Sequence, residues 1–243
     1  MMQHKLTLFK TYDKCANAKP KLTVVLIHGI ASDSSTYNTA LKHFEKMSDL
    51  KDVRFVTFDL LGSGKSLKSD ELNYDYNDQL SALKKSIKQL KSKTPLILVG
   101  HSLGTFIVTR FTNKYPKSVS RLILISPPIY TKADFANPAF AVGIDAFKKA
   151  VSVKNRDILK EKSFINSMDK IVLDKNNYDV LAQIKVPTTL IYSKEDQLIA
   201  PYNVPGIIRK NSSLHAIGTH GRHGVTEDKF KELAKILVKE VNA

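Results

Sequence analysis

The sequence predicts an α/β protein: a mostly parallel β-sheet with helices on both faces and a small helical cap. Three observations predict it. Short, nearly continuous apolar runs alternate with stretches of helical periodicity, the pattern of strands buried on both faces by helices. One long segment, 127–185, breaks the alternation. At 100–104 a Gly-x-Ser-x-Gly pentapeptide joins an apolar run to a helical one.

In order along the chain, 22–28, 53–58, 96–100, 122–126, 188–193 and 214–217 read as strands, rich in Val, Ile and Leu. Helical patterns lie near 35–47, 74–91, 103–114, 202–210 and 226–241. Right-handed crossovers bring the C-terminal ends of parallel strands to one edge, where such sheets bind ligands. The loops after 22–28, 96–100, 188–193 and 214–217 all fall there. Segment 127–185 opens with Pro127-Pro128, which bars regular structure at a strand exit. It carries Phe135, Phe140, Val142, Ile144, Phe147, Ile158, Leu159, Phe164, Ile171 and Leu173 but no strand pattern. It is too long for an ordinary crossover and reads as a cap inserted in a core made of 1–126 and 186–243.

At 243 residues the chain suits one domain with a substantial core. Hydrophobic residues are 42% and charged residues 25%, the balance of a globular protein. The formal net charge of +15 would attract nucleic acid or anionic membrane if the basic residues were gathered in one stripe. They are not: six of the 38 are arginine, and the lysines are spread along the chain. In 80–93, Leu80, Leu83, Ile87 and Leu90 make a core stripe, and Lys84, Lys85, Lys88 and Lys91 lie off it. The charge reads as solvated surface, and no nucleic-acid partner is expected. No run of about 18 apolar residues offers a membrane span, so no integral membrane association is expected. The opening residues lack the apolar stretch of a secretory signal, and Cys15 is the only cysteine. Both point to a cytoplasmic protein.

Chemistry concentrates at the strand ends. In Gly100-His101-Ser102-Leu103-Gly104 the serine sits at the tip of a sharp strand-to-helix turn. A Cβ at either flanking glycine would collide with neighbouring backbone. The turn exposes the Ser102 hydroxyl as a nucleophile and aims the Leu103 N–H at a developing oxyanion. A second donor is expected from the loop His28-Gly29-Ile30, with Ile30 N–H the candidate and His28 a loop brace. After 188–193, Asp196 is the candidate acid, since the following Leu198-Ile199 would hold its loop down, and Glu195 reads as a solvated carboxylate. After the last strand come His220 and His223. Loop reach favours His223 as the base, with His220 the alternative, placed at the entrance. His4, His43, His101 and His215 have no comparable placement, and His101 is expected to pack under the turn.

On His28-Gly29, the segment Asp59-Leu60-Leu61-Gly62-Ser63-Gly64-Lys65-Ser66, the Ser102 pentapeptide, Asp196 and the terminal histidine loop, the chain resembles the α/β-hydrolase superfamily over nearly its whole length. The order Ser102, Asp196, His223 is that superfamily's order. The segment 59–66 is similar to its D-x-x-G-x-G-x-S loop. The resemblance implies the α/β-hydrolase fold and a serine carboxylesterase acting on small to medium acyl or aryl esters. No metal-ligand spacing such as H-E-x-x-H or paired cysteines is present, so no metal or other cofactor is expected, and a monomer or homodimer is expected. The same residues serve C–C bond hydrolases and thioesterases, and a non-catalytic binding protein could keep the fold. Serine in the turn argues against relatives with an aspartate nucleophile. The chain departs from the family in a short N-terminal region, taken to have lost an early strand, and in its doubled histidine. Gly62-Ser63-Gly64-Lys65-Ser66 also resembles the tail of a phosphate-binding loop. Asp59 stands where that motif needs its first glycine, and no helix follows directly, so nucleotide binding is not expected.

Overall fold

The computed structural model describes residues 6–154 and 161–242; His4, Arg156, Ile158 and Leu159 lie outside the described residues. Its strands are β1 (Phe9–Lys14), β2 (Leu22–Ile27), β3 (Val53–Asp59), β4 (Leu96–His101), β5 (Arg121–Ile125), β6 (Thr188–Ser193) and β7 (Leu214–Thr219). Its α-helices are α1 (Asn38–Phe44), α2 (Tyr76–Gln89), α3 (Leu103–Lys114), α4 (Lys132–Ala136), α5 (Pro138–Lys154), α6 (Glu161–Ser167), α7 (Asn177–Ala182), α8 (Val204–Lys210) and α9 (Glu227–Val241). The strands form one sheet in the order β1-β3-β2-β4-β5-β6-β7. All neighbours are parallel except β1 and β3.

The continuous apolar runs follow from burial on both faces. Every residue of β2 and of β4 is buried. Along them alternate side chains enter opposite layers. Val25, Ile27 and Leu98 pack with Leu83 of α2 and Phe106 and Ile107 of α3. Val24, Leu26, Ile97 and Val99 pack with Leu41 and Phe44 of α1 and Phe230, Leu233 and Leu237 of α9. The expected lysine-free stripe on α2 holds: Leu80, Leu83 and Leu90 are buried and Ile87 packs against them. Helix α3 is buried along almost its whole length, so its threonine hydroxyls must be satisfied internally. Thr105, Thr109 and Thr112 donate to the carbonyls of Ser102, Thr105 and Val108.

The N-terminal expectation is corrected. An early strand is present: β1 pairs antiparallel with β3 at the sheet edge, with an irregularity between Lys10 and Tyr12. It carries no continuous apolar run because an edge strand is half solvated, and Phe9–Lys14 is mostly exposed. It is pinned by polar groups instead. The Asp13 carboxylate accepts from Arg54 Nε at 2.7 Å and Nη2 at 2.8 Å, and Leu8 N–H donates to Ser86 Oγ at 2.8 Å.

Between β5 and β6 the described residues form helices α4 to α7, with a π-helical turn at Met168–Val172. The two halves of this segment differ. Phe164, Met168, Ile171 and Leu181 are buried in the same core as α2 and α3. Helix α5 is largely exposed on its outer side, with Val142 69% accessible. Among the described residues no helix is long and apolar enough to cross a membrane.

Candidate active site

Ser102 lies between the last residue of β4 and the first of α3, with φ 50° and ψ −117°, a conformation in which a side chain is strained. Packing holds it there. A Cβ on Gly100 would stand 2.6 Å from Gly104 O, and one on Gly104 would stand 2.4 Å from Ile27 O. Both glycines are therefore required by backbone. The Ser102 N–H donates to Ile125 O at 3.0 Å, tying the turn to β5.

The loops after β6 and β7 bring Asp196 and His223 to this serine. His223 Nε2 lies 2.7 Å from Ser102 Oγ. Its Nδ1 lies 2.9 Å from Asp196 Oδ2 and 3.2 Å from Oδ1. With Nδ1–H donating to the carboxylate, Nε2 is left as the acceptor for the serine hydroxyl. The Asp196 side chain is 1% exposed and that of His223 23%. Burial disfavours the Asp196 charge. The His223 hydrogen bond and charge, the Leu198 N–H at 3.1 Å and Lys229 outweigh it and hold the carboxyl below its ordinary range.

Three further side chains fix the loops. His28 is fully buried: Nδ1–H donates to Gly29 O at 2.7 Å and Nε2 accepts the Leu60 N–H at 2.9 Å. It braces its loop, as expected from sequence, and ties it to the one after β3. His101 is buried under the turn, and its Nε2–H donates to His223 O at 2.9 Å. Burial, then the neighbouring His223, pushes its pKa down to about 3, so the ring is neutral. The third was not anticipated. Lys229, in the first turn of α9, is buried, and its ammonium donates to Arg222 O and, at 3.1 Å, to Gly224 O. A signal was available: Lys229 precedes Leu233 by four residues and Leu237 by eight, which puts it on the apolar side of its helix.

His220 is not brought to Ser102. Its side chain is 89% exposed, with Nδ1 3.3 Å from Glu195 Oε1. Glu195 Oε2 also accepts the Gly221 N–H at 3.0 Å. The pair clasps the outer surfaces of the two loops. His220 borders a groove along α9, separate from the cavity over Ser102.

That cavity is about 350 Å³. Ser102, His223 and Ile30 line it. Its walls are mostly apolar: Tyr130, Met168 and Val172, together with Ala139, Phe140, Gly143, Ile144 and Phe147 of α5. Leu103 opens α3 immediately beside Ser102. The glycine-rich loop 62–66 folds onto its own aspartate: Lys65 N–H and Ser34 N–H each donate at 2.9 Å to the Asp59 carboxylate.

Residues 18–178 match the family model described as serine aminopeptidase, S33. The chain is 34% identical over 138 residues to a probable lysophospholipase, BODYGUARD 2, of Arabidopsis thaliana, covering 56% of this chain and 29% of that one. It is 34% identical over 114 residues to the rat 1-acylglycerol-3-phosphate O-acyltransferase ABHD5, covering 46% and 31%. It thus spans less than a third of the length of these curated relatives. An esterase from Exiguobacterium antarcticum superposes with a TM-score of 0.72 at 19% identity, covering 97% of this chain and 96% of the esterase, which shows a shared fold. The sheet order, the serine turn and the family match agree: the chain belongs to the S33 serine aminopeptidase family of the α/β-hydrolase superfamily.

Proposed function

We propose that the chain is a serine carboxylesterase cleaving small to medium acyl or aryl esters, with 127–185 acting as a cap over the site. The observation that carries this reading is the hydrogen-bonded line from Asp196 through His223 to Ser102, opening on an apolar cavity of about 350 Å³. His223 Nε2 takes the Ser102 proton as Oγ attacks the ester carbonyl. The Leu103 and Ile30 N–H groups hold the oxyanion. His223 returns the proton to the departing alcohol, leaving an acyl-serine. Water, deprotonated by the same imidazole, releases the carboxylic acid and restores the serine. Asp196 keeps the imidazole in the tautomer that presents Nε2. His220, held outward by Glu195, takes no part.

The test is hydrolysis of p-nitrophenyl esters from acetate to decanoate. Ser102→Ala and His223→Ala are expected to lose roughly 10³–10⁶-fold in kcat, Asp196→Asn about 10⁴-fold, and His220→Ala little. Turnover that survives Ser102→Ala would refute the reading. A second reading, hydrolysis of single-chain glycerolipid esters, is favoured by the probable lysophospholipase relative. A lysophospholipid in the same panel, turned over faster than any aryl ester, would select it. An acyl-CoA and a C–C substrate, run alongside, test the thioesterase and C–C hydrolase alternatives.

A further inference from the structure

A histidine in a short loop with glycine at both ends has little rigidity of its own. The base loop reads Gly221-Arg222-His223-Gly224, and Gly221 sits at φ 93°. The hydrogen bonds to Asp196 and Ser102 orient the ring but leave the backbone beneath it free to drift. Three consecutive carbonyls of this loop are nevertheless held from outside. Lys229 takes those of Arg222 and Gly224, and His101 takes the one between them. One donor comes from the helix after the loop, the other from the turn that carries the serine.

The lysine is not there for helix stability. A cation in the first turn opposes the helix dipole, and a buried ammonium is costly unless its hydrogens find acceptors. Phe230, Leu233 and Leu237 already supply the apolar face that packs α9 on the sheet. The ammonium reaches back to the loop instead, and it lies close enough to Asp196 for each to favour the other's charge.

We propose that Lys229 is a positioning residue: with His101 it clamps the backbone on both sides of His223, and so holds the imidazole at bonding distance from Ser102. This rests on the serine-hydrolase reading above. Lys229 touches neither substrate nor the reacting atoms. Its removal should misplace the base without altering the pocket, and a misplacement of about 1 Å costs up to roughly 10²-fold in rate.

The experiment compares wild type, Lys229→Met, Lys229→Arg and His101→Phe by steady-state kinetics on the best p-nitrophenyl ester. Thermal unfolding and the low-field proton resonance of the His223 Nδ1–H to Asp196 bond are recorded alongside. Lys229→Met, similar in length but with no donors, should lose about 10–100-fold in kcat with KM nearly unchanged. Its low-field resonance should broaden or vanish while the protein remains folded. Lys229→Arg, which keeps donors, should recover much of kcat. A folded Lys229→Met with wild-type kcat and an unchanged resonance overturns the proposal. If Lys229→Met does not fold, His101→Phe, which removes the middle pin, decides: unaltered kcat and resonance overturn the clamp. Failure of the underlying reading looks different. There, wild type turns over no ester and resists labelling by a fluorophosphonate, and the resonance in Lys229→Met alone decides the positioning role.

Discussion

The two buried histidines make this protein sensitive to acid at the level of single residues. Burial pushes the pKa of His28 down, and that of His101 to about 3. In the unfolded chain each returns to the ordinary value near 6.5. Between these limits the unfolded state binds more protons than the folded one, so stability falls as pH falls. The contribution of His101 is complete above about pH 6.5 and is lost progressively down to about pH 3. Asp196, whose carboxyl is held low, adds a loss of the same sign as pH falls from its ordinary range through its folded value. Each group steepens the dependence by at most about 1.4 kcal/mol per pH unit. Urea unfolding of wild type and His101→Gln between pH 7.5 and 4.5 measures this. The variant should give the shallower slope even if it is less stable throughout, and parallel lines would contradict a neutral buried His101.

At the scale of the element, the serine turn and helix α5 place opposite demands on glycine. A methyl group on Gly104 would press on Ile27 O and His28 O, backbone atoms that cannot swing aside. Gly104→Ala must force α3 away from β2, at a cost of about 1–3 kcal/mol or more. Nothing lies within 4 Å of a Cβ placed on Gly143 in α5. Gly143→Ala should therefore stabilise by roughly 0.5–1 kcal/mol, the helix-propensity gain alone. Denaturant melts of the pair test the contrast, and equal effects would contradict the packing described for the turn. The turn was legible in the sequence because sterics leave few residue types for it: two glycines around Ser102, an apolar run before it and another after. Edge strand β1 was not, because Phe9–Lys14 is mostly exposed and held by ion pairs and hydroxyls, which leave no periodic trace. Choosing between His220 and His223 took loop reach, a three-dimensional property that residue order only suggests. Lys229 was hidden by its own chemistry, since a lysine on an amphipathic helix reads as surface unless its register against Leu233 is followed.

For the whole molecule, the topology decides where chemistry can occur. Strands β2, β4, β6 and β7 run parallel, so the loops carrying Ile30, Ser102, Asp196 and His223 leave the sheet at one edge. Alternating apolar and helical runs were enough to foresee this arrangement, because strands covered on both faces leave only their ends for polar groups. Walls contributed by α5 depend on how one long segment folds back, and periodicity carries no record of that. The hydrogen-bonded pair Ser102 and His223 is separated by 121 positions along the chain, and β6 and β7 are the last strands made and the outermost on their side of the sheet. Closing a loop of this length costs entropy before the contact rewards it, which predicts that such partners meet late. During refolding, fluorophosphonate labelling of Ser102 should lag behind the recovery of helical circular dichroism, and simultaneous recovery would argue against it. Until those two strands have docked, the chain holds an isolated hydroxyl at position 102, without the His223 and Asp196 partners that its folded surroundings supply.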